Sequence, residues 1–67
     1  MRDILIADNR IIEAFEDSLI ADGIDFVLDL KNETETETAY KILTIGKLSK
    51  ARSALASLHG ELKELDG

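Results

Sequence analysis

Hydrophobic residues in the first third of the chain recur at the three- and four-residue steps of an amphipathic helix. The positions in phase are Ile4, Ile11, Ile12, Phe15 and Leu19. Asp22-Gly23 follows, and glycine closes many helices in the left-handed conformation. The start of this helix has two solutions: Asp3 caps a helix that includes Ile4–Ala7, or Asp8 caps a shorter helix and Ile4–Ala7 is a strand.

From Ile24 the hydrophobic period changes to two, which predicts a half-buried strand. One face of this strand carries Ile24, Phe26, Leu28 and Leu30. A second strand with one shared face follows, formed by Thr36, Thr38, Tyr40 and Ile42. The two strands predict an antiparallel hairpin, in which the Glu-Thr pairs of residues 33–38 form a protruding tip rather than a disordered segment.

The last segment has leucine and alanine at alternating steps of three and four residues, a heptad-like seam along one helix face. The seam consists of Leu48, Ala51, Leu55, Leu58, Leu62 and Leu65. Because the phase continues past Gly60, we expect the helix to run through that glycine, although an internal glycine costs about 1 kcal/mol relative to alanine.

These elements predict one small α+β domain over residues 1–67, in the order helix, strand, strand, helix, with the hairpin packed against two helices. In this order of elements the chain resembles the short head-completion proteins of tailed phages, which also place a hairpin between two helices. The resemblance covers the predicted layout and no sequence motif, so it implies a structural or assembly role only at the level of fold.

More large apolar residues occur than the predicted core of so small a domain needs. The surplus comprises Ile4, Leu5, Ile6, Ile20, Val27, Leu43, Ile45, Leu62 and Leu65. Together with the heptad-like seam, which two copies can pack against each other, this surplus predicts a homodimer.

The net charge of −6 is unevenly distributed along the chain. Residues 1–38 hold eleven acidic and three basic residues, whereas residues 39–67 hold three acidic and five basic ones. An acidic face is predicted at Glu13, Glu16 and Asp17, and a basic patch at Lys47, Lys50 and Arg52. The basic patch lies in the first turns of a helix, where positive charge is disfavoured, so it should pair with the acids of the first helix or contact phosphate or an acidic partner.

Catalytic and metal-binding patterns are missing from the sequence. The chain has no cysteine and one histidine, His59, and it contains no glycine-rich phosphate loop. We therefore expect no enzyme activity, no metal and no cofactor. The longest early apolar run, Ile4–Ala7, is too short to span a bilayer, and the acidic charge disfavours direct nucleic-acid binding, so we expect a cytoplasmic protein without membrane contact.

The sequence thus favours a non-enzymatic protein–protein interaction module, a small acidic adaptor or inhibitor that associates with itself. Two alternatives remain open at this point. The first is the phage-type assembly protein, and the second is an acidic nucleic-acid mimic of the anti-restriction or anti-CRISPR kind, for which the eleven acids of the first half supply the charge.

Overall fold

The computed structural model describes residues 3–59 and 64–65. Its elements in chain order are β1 (Ile4–Asp8), α1 (Ile12–Ala21), β2 (Phe26–Leu28), β3 (Glu37–Ile42), a 3-10 turn (Ile45–Lys47), α2 (Leu48–His59) and β4 (Glu64–Leu65). The strands form an antiparallel sheet in the order β2-β3-β1-β4. The predicted α+β class is confirmed, with one strand added before the first helix and another after the last helix.

The Ile4–Ala7 run is a strand, as the second of the two solutions predicted. The prediction that Asp8 caps the helix is wrong, because Asp8 is the last residue of β1 and the N-cap position is Ile11, which makes no side-chain cap hydrogen bond. β1 lies inside the sheet and pairs with β3 from Ile4 opposite Lys41 to Asp8 opposite Glu37. A strand covered on both faces reads as a continuous apolar run, which explains why this segment lacks alternation. The first helix therefore begins at Ile12, and Ile4 is not on its apolar face.

The main core lies between the sheet and the two helices. Buried side chains from all the long elements form it, namely Leu5, Ala7, Phe15, Leu19, Ile24, Tyr40, Ile42, Leu48, Ala51 and Leu55. On the opposite face of the sheet Ile4, Ile6 and Ala39 form a smaller buried cluster. Three residues of the predicted apolar surplus, Ile4, Leu5 and Ile6, are thus buried within the chain, which removes part of the argument for a dimer.

The predicted hairpin is confirmed, with Phe26 opposite Ile42 and Leu28 opposite Tyr40. Leu28 lies opposite the buried Tyr40 and so is on the same face as Phe26, but the expectation that this face is buried as far as Leu28 and Leu30 is wrong, because they are 50% and 67% exposed. The helix layer covers the Ile24 end of β2, and the strand ends at Leu28.

The prediction that the last helix runs through Gly60 to Leu65 is wrong. α2 ends at His59, and the backbone of residues 64–65 pairs with Ile4 and Leu5 as β4, which satisfies main-chain groups on the open side of β1. Leu48, Ala51 and Leu55 are buried in the core of the chain itself, and Leu58 is 39% exposed. Leu62 lies outside the described residues, so the six positions do not form one continuous helical seam.

Candidate functional site

The fold separates acidic from basic residues on its two helices. α1 carries Glu13, Glu16 and Asp17 and no base, whereas α2 carries Lys50 and Arg52 and no acid. Because β1 and β2 both neighbour β3, the connection through α1 crosses β3 toward the β2 edge of the sheet. α2 leads from β3 to β4 and packs against β1. The acidic helix and the basic helix pack against each other, and both contact β1.

Two of the three residues of the predicted acidic face are exposed to solvent. Glu13 and Asp17 lie one turn apart on α1, a rise of about 6 Å along the helix axis, and neither makes an ion pair within the described residues. Glu16 differs, because its carboxylate accepts a hydrogen bond of 2.5 Å from the hydroxyl of Tyr40. The exposed acidic face thus consists of Glu13 and Asp17, and Glu16 holds α1 against β3.

Tyr40 is fully buried between two other aromatic rings. Its ring packs edge-on against Phe15 and Phe26, with centroid distances of 5.2 and 5.5 Å. Burial raises the pKa of the phenol well above its ordinary range, and the hydrogen bond to the Glu16 carboxylate and its charge raise it further. The phenol is therefore a protonated donor whose role is structural.

The basic residues of the predicted patch are placed differently from one another. The ammonium of Lys47 donates a 2.7 Å hydrogen bond to the backbone carbonyl of Asp22, at the carboxyl end of α1. The negative end of the α1 helix dipole therefore stabilises the charge of Lys47, for which the sequence predicted an anionic contact. Lys50 is exposed and Arg52 is partly buried. Lys47 thus meets a helix end rather than a carboxylate of the acidic face.

β2 is the outer strand of the sheet and has a free edge. The carbonyl of Asp25 accepts from the Leu43 amide, and the amide of Asp29 donates to the Ala39 carbonyl, both at 2.8 Å. Main-chain groups alternate in direction along an antiparallel strand, so the odd-numbered residues face β3. Phe26 and Leu28 consequently point their amide and carbonyl groups away from the sheet, where no strand of the described chain lies.

Exposed apolar side chains and two carboxylates line this edge. Val27 is 47% exposed, and Leu28 and Leu30 are more exposed still. Asp25 precedes these residues and is exposed, while Asp29 lies among them. The Asp29 carboxylate accepts from the amide of Lys31 and, at 2.6 Å, from the side chain of Asn32, both of them neutral donors that leave its charge in place. Within the described residues, neither aspartate has a basic partner.

A polar cleft with a volume of about 380 Å³ lies at the carboxyl end of β1. It is lined by Asp8, Asn9, Arg10, Glu35 and Thr36. The Asp8 carboxylate accepts two hydrogen bonds of 3.1 Å from the Arg10 guanidinium, which hold the pKa of Arg10 above its ordinary value.

Asn9 ties the wall of this cleft to the segment after β2. Its side-chain amide donates to the Glu35 carbonyl at 3.0 Å, and its side-chain oxygen accepts from the Thr38 hydroxyl at 2.6 Å. Its backbone amide also donates to Thr36. The Glu-Thr segment is therefore anchored over part of its length. Sequence reasoning missed Asn9, and the signal was its position in the polar break between an apolar run and a helix.

The part of the chain that the structure describes holds no group of three or more histidine, cysteine, aspartate or glutamate residues arranged to bind a metal ion. No helix in that part is both long enough and apolar enough to cross a bilayer. Compared with protein-family models, with curated proteins and with solved structures, the chain matches none of them.

Proposed function

We propose that this chain is a non-enzymatic protein-binding module that docks a basic surface of a partner protein on its uncompensated carboxylates. These carboxylates are Glu13 and Asp17 on α1 and Asp25 and Asp29 at the β2 edge, together called the acidic side. The observation that carries the proposal is that none of these four carboxylates makes an ion pair within the described residues. Uncompensated negative charges on so small a domain repel one another, and a positively charged partner offsets them when it binds.

Lys47 supports this assignment because its ammonium contacts the Asp22 carbonyl and therefore leaves the carboxylates of the acidic side unneutralised. Complementary charge steers a partner toward one side of a small domain and accelerates association. A small adaptor or inhibitor with uncompensated acidic groups at its surface has the properties that such docking requires.

Nucleic-acid mimicry is less well supported by the same helix. Glu13 and Asp17 place one carboxylate per turn, about every 6 Å along the axis, whereas duplex DNA carries one charge per about 1.7 Å. Glu16, which lies between them in sequence, is engaged by Tyr40. The exposed charge on α1 is therefore sparser than that of a phosphate backbone, which favours a protein partner.

Self-association stays a prediction, and the leucine seam no longer supports it. Leu48, Ala51 and Leu55 stabilise the chain's own core, so on the described part of α2 only the partly exposed Leu58 remains of the seam for a second copy. Ile20 is the other large apolar residue exposed on the described parts of α1 and α2.

The proposal is tested by affinity capture from a cell extract, followed by binding measurements with each recombinant partner by calorimetry. The variant Glu13→Gln/Asp17→Asn removes two charges of the acidic side, and Glu13→Asp/Asp17→Glu is the matched control that keeps them. We expect binding to weaken in the first variant and at higher salt, and to persist in the control. A partner that binds all three proteins equally at low and high salt would show that the acidic side is not the docking surface.

A further inference from the structure

We propose that the free edge of β2 binds an extended segment of a partner protein as an added antiparallel strand, and that this segment carries basic, apolar and basic residues at alternate positions. This inference rests on the proposed function and names the partner's chemistry. Strand addition to an open sheet edge draws affinity from main-chain hydrogen bonds and specificity from alternate side chains.

The main chain of β2 is arranged for such an addition. Asp25 and Asp29 bond to β3, and Val27 lies opposite Lys41, so the ladder to β3 uses the odd-numbered residues. Phe26 and Leu28 direct two amides and two carbonyls outward, enough for up to four hydrogen bonds to an incoming strand.

Side chains on the open face of the sheet specify the charge of that strand. Asp25, Val27 and Asp29 alternate on this face and occupy the non-hydrogen-bonded sites toward an added strand, where facing side chains approach most closely. Lysine or arginine opposite each aspartate gives two cross-strand ion pairs. Opposite Val27 an apolar residue is favoured, because Lys41 lies on the same face one strand further in.

The β2 side chains on the face toward the helices determine which residues are favoured at the two remaining positions of the incoming strand. Phe26 is partly buried against Tyr40, and Leu28 is 50% exposed. An incoming strand places its intervening side chains beside these two, so apolar residues at those positions cover surface that is now in contact with solvent. The preferred segment thus has an apolar centre and basic ends.

A second copy of the chain fits this edge poorly. When two β2 strands overlap over their full length in antiparallel orientation, Val27 faces Val27 and Asp25 faces Asp29. Like charges directly opposite each other destabilise a strand pair, and charge on an edge strand is a common protection against self-pairing. Charge complementarity therefore assigns the edge to a basic segment of another protein.

The test uses a capped peptide of sequence Ser-Lys-Ile-Val-Ile-Lys-Ser and the full chain, followed by NMR titration and amide hydrogen exchange. We expect saturable binding and slower exchange at Phe26 and Leu28, with little change at Asp29, whose amide already donates to Ala39. Two control peptides separate the contribution of charge from that of main-chain hydrogen bonds. One carries glutamate in place of both lysines. The other carries N-methyl groups on both isoleucine nitrogens, which removes the two hydrogen bonds that the peptide donates to β2 and blocks close approach of the strands, but keeps the charge.

We expect the glutamate peptide not to bind and the N-methylated peptide to bind at least about tenfold more weakly. On the protein side, Asp25→Asn should weaken binding by about two- to fivefold, as expected for one cross-strand charge pair. Glu33→Gln is the matched control, since Glu33 is exposed and lies outside the edge, and its affinity should equal that of the unmodified chain.

Each other outcome overturns the strand proposal in a recognisable way. Equal binding of the N-methylated peptide, or weakening by Glu13→Gln but not by Asp25→Asn, would show charge-driven docking without strand addition, and the proposed function would survive. Protection of Phe26 and Leu28 in the free chain, with a dimeric mass by light scattering, would assign the edge to a second copy. If no peptide binds, the strand proposal fails, and the proposed function is then decided by the salt dependence of the captured partner.

Discussion

The hydroxyl of Tyr40 donates a 2.5 Å hydrogen bond to the carboxylate of Glu16, two residues separated by 24 positions in the chain. The contact fastens α1 to β3 and removes Glu16 from the exposed acidic face. In Tyr40→Phe the partly buried carboxylate loses its donor, and we expect the free energy of unfolding to fall by about 1 to 3 kcal/mol in urea denaturation. Glu16→Gln keeps an acceptor for the hydroxyl and should cost less. Equal stability of Tyr40→Phe and the unmodified chain would contradict a structural role for this bond.

The same pair predicts a loss of stability at alkaline pH. Burial, the hydrogen bond to Glu16 and its negative charge raise the pKa of Tyr40 above its ordinary value of 10.0. The folded chain therefore keeps a proton that the unfolded chain loses above about pH 10, so this contribution is complete below that pH and declines as the pH rises. We expect the melting temperature to fall more steeply between about pH 9 and pH 12 in the unmodified chain than in Tyr40→Phe. Parallel curves would show that Tyr40 titrates normally.

The leucines of α2 provide a test of the core. Leu55 is fully buried, whereas Leu58, three residues further on, is 39% exposed. Leu55→Ala leaves a cavity and should lower the free energy of unfolding by about 2 to 5 kcal/mol, while Leu58→Ala should cost about 1 kcal/mol or less. Chemical denaturation of the two variants gives the comparison. Equal losses would mean that Leu58 is covered in solution, which would restore a partner or a second copy on this face.

The spacing of apolar residues within one segment was enough to predict the first helix and the hairpin. Phe15 and Leu19 are buried on α1, Gly23 ends the helix with φ of 67°, and the hairpin from β2 to β3 forms as expected. These features depend on neighbours in sequence, and the pattern of one segment is sufficient to predict them.

The remaining features of the fold and of the candidate site depend on contacts between segments that are distant in sequence. A run of four apolar residues suits a buried strand or a buried helix equally, and Ile4–Ala7 became a strand because β3 pairs with it. The Leu65 position kept the helical phase, yet its backbone pairs with Ile4. The outward groups of β2 and the bonds of Asn9 likewise depend on which strands are neighbours, so the candidate binding edge was not predictable from spacing.

Asn9 should control the order of the Glu-Thr segment. Its side chain bonds to the Glu35 carbonyl and to the Thr38 hydroxyl, and Asn9→Ala removes both bonds. We expect a loss of about 1 to 2 kcal/mol in the free energy of unfolding and faster amide exchange in residues 34–37. Asn9→Asp keeps the acceptor for Thr38 and should have an intermediate effect. Unchanged exchange in Asn9→Ala would show that the segment is held by its own turn, in which Thr34 accepts from the amide of Glu37.

Gly23 combines a conformational and a steric requirement. Its φ of 67° is unfavourable for other residues, and a Cβ added there would lie 3.3 Å from the ammonium of Lys47. Gly23→Ala should therefore lower the free energy of unfolding by about 1 to 2 kcal/mol, whereas Gly46→Ala, which meets no atom within 4 Å, should change it by about 0.5 kcal/mol or less. The variant Lys47→Ala separates the two causes. In that background the steric part of the Gly23→Ala penalty disappears and the backbone part remains, so a double-mutant cycle measures how much the contact with Lys47 adds. A penalty that vanishes entirely without Lys47 would show that the backbone relaxes out of the left-handed region at no cost.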